Sequence, residues 1–292
     1  MAGSGWTTTS ALADSLPSMK SSARIVREYE GVVPQLVTKV TLGKGIGTTW
    51  QEIKYDQLTA QAITETTDLN NPQQIQDSLI TVTPTVVGLE TFITDRVQAR
   101  ISPVGYAKIG QLGQNAMQRK KDEDGLVLFA SGTGSSDPGA GVTLSSGYIA
   151  SASANITGNT TEPGMPPIRC VLHPFQIKDL YDELVAGVGT GVVSEGPTAR
   201  VFSQGFNLPV AGCEIYPDGN ITIDGSGDAI GGVFPQEGIL LVQGRAARIV
   251  PVRNEARGGG GYHVYHYDEY AYAVRLAAWV YSMTSDATAP TS

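Results

Sequence analysis

The sequence is poor in the residues on which most enzymes depend. It has three histidines and two cysteines in 292 positions, and only 16% of its residues are charged. Cys170 and Cys213 lack the close spacing of a metal knuckle, and two thiols make no disulfide framework, so both are expected to be reduced and buried. A histidine-based triad has little to draw on, and no Gly-x-Ser-x-Gly elbow occurs. No window of about 18 uncharged apolar residues is present, so no membrane span is expected. The opening residues show no charged-then-apolar order of an export signal, and without export the Asn155-Ile-Thr and Asn220-Ile-Thr patterns carry no glycan. Basic charge is scarce as well: 20 Lys and Arg against 28 Asp and Glu leave a net charge of −8. That balance argues against a broad basic face for nucleic acid and limits DNA to weak, non-specific contact.

What is abundant points to β structure and turns. The chain has 35 glycines and is 41% hydrophobic, enough for one large or two modest domains. Residues 1–13 read as a Gly/Ser/Thr-rich arm. A helix is predicted from Asp14 or Ser15, with Pro17 in its first turn, to Gly31 before Pro34. Its apolar stripe, flanked by Arg24 and Arg27, is too short to be buried alone and needs the body or a neighbour. From Val37 the period changes to two. Val37–Leu42, a turn at Gly43–Gly47 and Thr48–Tyr55 read as a hairpin, with a returning strand over Ile80–Leu89 that Pro84 confines to an edge or bulge. The Gln/Thr/Asn-rich tip between them, 56–79, has little to bury, so the excursion gains its order from elsewhere.

One long helix is predicted over about 104–129, with Ile109, Leu112, Ala116 and Leu126 or Val127 turned to a core and Arg119–Asp124 forming a charged face. Gly132–Gly164 reads as loose, weakly β-patterned chain around Tyr148–Ala154. His173-Pro174 opens a second helix, whose stripe of Ile177, Leu180, Tyr181, Leu184 and Val185 stops at Gly187. Short strands follow at Val210–Tyr216, Ile230–Phe234, Gly238–Val242 and Ala246–Val252, and then a Tyr-rich run whose Tyr270, Tyr272, Val274, Leu276 and Ala278 are expected to share a face.

Candidate chemistry dissolves under its own geometry. Gly43–Gly47 lacks the Gly-Lys-Ser/Thr spacing of a phosphate loop and precedes a strand instead of a helix, which makes it a turn. His263 and His266, three apart on a strand, point to opposite faces and cannot share a metal. Asp122/Asp124 and Asp268/Glu269 read as solvated faces. Arg245, Arg248, Arg253 and Arg257, with Glu255 beside them, form the one basic concentration, better suited to acidic groups of an adjacent subunit than to nucleic acid.

The order of these segments resembles that of the major capsid proteins of tailed bacteriophages, with the fold first described for phage Hong Kong 97. The resemblance runs from about Asp14 to Tyr281 and rests on segment order: capped helix, polar β-excursion, long helix, His-Pro-started helix, and the closing stretch from Gly231 through Arg248–Arg253 to Leu276. It implies an α+β capsid fold with an N-terminal arm (1–35), an extended β-hairpin E-loop (36–93), a peripheral domain with a long spine helix (94–169 and 233–292) and an axial domain (170–232). It further implies a non-enzymatic virion protein, made in the host cytoplasm, that assembles as hexamers and pentamers into an icosahedral head around double-stranded DNA. A portal, cement proteins and either a separate scaffolding protein or assembly without one are implied, and no cofactor, metal or membrane would be needed.

The inter-subunit contact candidates are Arg24, Arg27, Lys44, Trp50, Lys54, Tyr55, Arg245, Arg248, Arg253 and Arg257. Lys39, Lys44 and Lys54 are the loop lysines open to a covalent cross-link of the kind some relatives form. Two alternatives stand beside this one. An encapsulin-like compartment would share the fold and show a cargo groove; a β-rich tail or surface hydrolase or carbohydrate-binding module would show a concave polar pocket in a soluble monomer.

Overall fold

The computed structural model describes residues 6–7, 28–45, 47–66, 72–100, 103–188 and 209–290. Among them, the first sheet runs in spatial order β1 (Trp6–Thr7), β5 (Thr85–Thr94), β11 (Gly261–Val274), β10 (Ile239–Asn254) and β2 (Thr38–Thr41). The second runs β6 (Gly134–Ser135), β12 (Tyr281–Asp286), β9 (Asp228–Pro235), β7 (Ile168–Leu172) and β8 (Cys213–Pro217). Two further strands, β3 (Trp50–Tyr55) and β4 (Asp77–Val82), pair only with each other and form a ribbon. The helices are α1 (Val33–Leu36), α2 (Asp95–Arg100), α3 (Pro103–Leu126), α4 (Ser146–Thr157) and α5 (Pro174–Val188), with a 3-10 turn at Val127–Ser131 continuing α3.

The long helix packs on the first sheet through glycines. At Gly113 the His266 ring of β11 fills the place of a side chain, and at Gly125 Val33 and Tyr272 do so. These gaps bring the helix close enough for polar links: Lys121 Nζ reaches Asp268 Oδ2 at 3.0 Å and Gln243 Oε1 at 2.6 Å, and the Tyr270 hydroxyl donates to Asp124 Oδ2 at 2.8 Å. The expected apolar stripe is therefore corrected. Leu126 is buried, but Leu112 and Val127 are exposed. Asp122 and Asp268, expected on solvated faces, are buried, because the contact face of this helix is made of glycine and paired charge instead of aliphatic side chains.

Two apolar clusters stabilise the body. In one, Val33 and Leu36 of α1 and the following Val37 meet Leu126, Phe129, Phe234, Ile239, Leu241 and Tyr270, joining α1, α3 and both sheets. The Phe129 and Phe234 rings stack at 5.3 Å, and Phe129 lies where a β-carbon on Gly232 would be. In the other, Ile149, Ala152 and Ile156 of α4 and Leu180 of α5 cover Ile168, Cys170, Leu172, Val233 and Met283 of the second sheet. Each fully buried aliphatic or aromatic side chain there contributes about 1.5–3 kcal/mol. Cys170 and Cys213 are free and buried, on adjacent strands.

Four further expectations are corrected. The weakly β-patterned stretch near Tyr148 is the helix α4: its small residues alternate by coincidence, while Ile149, Ala152, Ser153 and Ile156 fall at i, i+3, i+4 and i+7 and are the ones buried. Gly43–Gly47 turns no hairpin, since β2 pairs in parallel with β10 and β3 with β4; the segment carries the chain from the first sheet out to the ribbon. The two strands expected over 238–252 are one long strand, β10, whose register shifts between Gln243 and Arg248 obscured its continuity. Pro84 divides the returning strand between two sheets, β4 in the ribbon and β5 in the first sheet. The helix predicted from Asp14 to Gly31 lies outside the described residues except for 28–31, which are not helical.

Candidate assembly surfaces

The ribbon has two unlike faces, as strand alternation demands. Trp50, Glu52 and Lys54 turn toward the body and are half-buried, while Gln51, Ile53 and Tyr55 turn away and are exposed. Two ion pairs tie the inner face down. Glu52 Oε2 accepts from Arg275 Nε, just past β11, at 2.9 Å, and Lys54 pairs with Glu162 in the loop after α4. The outer face has no such partner: Ile53, 54% exposed, stands opposite Leu79, 55% exposed, and Tyr55 is 67% exposed. Leu58, Ile63 and Ile75 extend this uncovered apolar surface toward the tip. A two-stranded ribbon that leaves so many large apolar side chains in water is suited to contact with protein.

A second surface is the face of the first sheet turned away from α3. There the Tyr265 and Tyr267 rings stack at 5.8 Å, and the Arg248 guanidinium lies 5.5 Å over Tyr267. Val86 on β5 and Val252 on β10 are exposed on the same face, whereas Ile249, which pairs with His266, is exposed on the face that carries α3. Arg253 is held within its own chain: Nη2 is 3.0 Å from Asp95 Oδ2, Nε pairs with Glu255, and the guanidinium lies over Tyr262. These neighbours raise its already high pKa, chiefly through the hydrogen bond to Glu255. Arg245 is exposed beside Glu269, and Arg257 lies near enough to Tyr265 to act on its hydroxyl. The four arginines thus do not converge.

Of the other candidates, Lys44 is exposed in the loop leading to the ribbon, as is Lys39 on β2, and Arg24 and Arg27 lie outside the described residues. Sequence reasoning chose Trp50, Lys54 and Tyr55 but passed over Ile53, Leu79, Leu58, Ile63 and Ile75. The signal was the alternation across β3 and β4, which places Ile53 and Leu79 together on the face opposite Trp50. His263 and His266 do point apart. His263 meets Glu90 and Asn254 on one face, and His266 meets Gly113 on the other. Among the described residues no group of His, Cys, Asp and Glu is arranged to hold a metal ion, and no helix is long and apolar enough to cross a membrane.

A body of two five-stranded sheets, crossed by a long helix and carrying a two-stranded ribbon, is the fold of tailed-phage capsid chains. The chain is similar to the capsid of cyanophage P-SCSP1u, with a TM-score of 0.72 and 13% identity over 97% of this chain and 96% of that one. The capsid of Ralstonia phage GP4 gives 0.69 and 13% over 98% and 100%, and the capsid of a native GTA particle 0.66 and 11% over 93% and 95%. No protein-family model matches the sequence, and no curated protein matches it.

Proposed function

We propose that this chain is a major capsid protein, a non-enzymatic subunit that assembles with copies of itself into an icosahedral head around double-stranded DNA. The observation that carries this reading is a likeness of fold to phage capsid chains that extends over nearly all of both chains. The outer apolar face of the ribbon supports it, since a self-assembling subunit needs such a surface and an isolated one does not.

In this reading the N-terminal arm (1–35) and the E-loop (36–93) reach neighbouring subunits. The peripheral part is the first sheet with α3, and the axial part the second sheet with α4 and α5. Drawing the division by sheet assigns β12, with β6 and β7, to the axial part, across the lines expected at residues 169 and 233. Arg245 and Arg248 are proposed to meet acidic groups of a neighbour. Hexamers and pentamers, a portal, scaffolding and cement proteins, and weak DNA contact complete the proposal.

Electron microscopy of the purified recombinant chain tests it. Closed shells of uniform size are expected, and Ile53→Asp with Leu79→Asp is expected to abolish them while leaving a folded subunit with an unchanged unfolding midpoint. A chain that stays monomeric at every concentration and salt condition would overturn the proposal.

A further inference from the structure

Where the arm enters the body, residues 28–36 are held by two buried carboxylates. Asp122 on α3 and Asp218, after β8, are 0% and 1% exposed. Asp122 Oδ1 accepts the Val33 amide at 3.0 Å, and its Oδ2 accepts Asn220 Nδ2 at 2.9 Å. Asp218 accepts the Asn220 amide at 2.9 Å and the Val32 amide at 3.5 Å, so Asn220 and the adjacent Val32 and Val33 amides bridge the two carboxylates. The fit is close, since a β-carbon on Gly31 would overlap Asp122 and one on Gly219 would overlap the Tyr29 ring. Among the described residues neither carboxylate has a cation within ion-pair distance.

We propose that Asp122 and Asp218 are a proton-operated latch for the arm: with one proton shared between them residues 28–36 stay seated, and with both ionised the segment lifts. With both carboxylates ionised, two like charges bridged by the same Asn220 and by neighbouring amides are buried together beneath the segment, a cost that one proton between them relieves. Burial and Asp218 together push the Asp122 carboxyl up to about 7, against the opposing pull of Asn220 and the Val33 amide.

The surrounding groups do not cancel this. On α3, Arg119 is engaged by Glu28 and Glu123, Lys120 by Asp124, and Lys121 by Asp268 and Gln243. From β11, Tyr272 is held neutral by burial, and its buried hydroxyl has no partner. His173, before α5, is held toward its neutral form by burial, which outweighs Asp218. Glu30, next in sequence to the Gly31 that abuts Asp122, adds a further negative charge to the segment.

A carboxyl raised in the folded state stabilises that state when protonated. Its contribution is complete below about pH 4 and is lost as pH rises through about 7. The latch is a property of one chain and stands whether or not the shell forms.

Hydrogen exchange on the full chain tests it. After division by intrinsic rates, protection of peptides covering 28–36 is expected to fall at least about tenfold between about pH 6 and pH 8, while a peptide over β7 stays constant. In Asp218→Asn the amide donates to Asp122 in place of the shared proton, and the step is expected to vanish; Asp122→Asn should remove it too. If one variant fails to fold, the other and the wild-type titration decide. Protection of 28–36 that does not change with pH in the wild type, or a step of undiminished size in a folded variant, overturns the latch.

Discussion

The His266 ring occupies the space that a side chain at Gly113 would need, and this single overlap sets how closely α3 approaches the first sheet. Gly113→Ala would gain about 1 kcal/mol of helix propensity, but the methyl group meets a ring fixed between a strand and a helix. The overlap wins, and the substitution is expected to lower subunit stability by about 1–3 kcal/mol in urea unfolding, with partial recovery in Gly113→Ala/His266→Ser.

His266 also gives acid sensitivity. Burial holds its pKa down, and its Nε2 has no hydrogen-bond partner. Its contribution is present above the unfolded value of about 6.5 and is lost as pH falls, because the buried ring resists protonation. His266→Leu is therefore expected to flatten the loss of stability on the acid side, measured by urea midpoints from about pH 7 down to pH 5. This runs opposite to the contribution of Asp122, so the two are separable by the sign of the slope.

Lys121 and Asp268 are a mostly buried ion pair that links α3 to β11. Lys121→Met leaves the carboxylate without its cation and is expected to cost about 3–5 kcal/mol, whereas Lys121→Met/Asp268→Leu should recover much of that loss. Equal costs for the single and double variants would show that packing, not charge, is what the pair supplies.

Gln176 is fully buried on α5 and serves four partners, donating to the carbonyls of Ala229 and Met283 and to the Ser285 hydroxyl, and accepting the His173 amide. It thereby pins α5 across β9 and β12. Gln176→Leu keeps the volume but orphans these groups, each at about 1–3 kcal/mol, so loss of cooperative thermal unfolding is expected.

Arg253 makes its ion pairs within the chain and in water, where such pairs contribute little. Arg253→Ala is expected to leave the melting temperature of the subunit nearly unchanged. A large drop in shells, with none in subunits, would mean that a neighbouring subunit also engages this residue.

Legibility in the sequence followed the range of the interaction. The Tyr270/Tyr272 alternation and the Ile177/Leu180 stripe are local patterns, and both elements stand where the periodicity put them, except that the strand stops at Val274 and the expected Leu276 and Ala278 lie beyond it, Ala278 in a 3-10 turn. The pairing of Thr38–Thr41 with Leu240–Gln243 is not local, and a period-two run cannot announce its partner. Asp122 misled because charge in a helix usually means solvent; what buries it is a segment from another part of the chain. The ribbon was recognised as unable to order itself. The exposed pair Ile53 and Leu79 emerged only once the register placed them opposite each other on the uncovered face.

Neither sheet can be assembled from the front of the chain. Thr41 waits for Gln243, Glu90 for Tyr265, and Gly134 for Tyr281. Until β10 to β12 have been made, β2 and β6 have no strand to pair with and β5 has only the two residues of β1, and the last strand of the second sheet ends only at Asp286. Such long-range closure makes folding slow. It also ties both sheets to late segments of the chain: cut before β10, the molecule can close neither, since β10 and β11 hold the first sheet together and β12 joins β6 to the second.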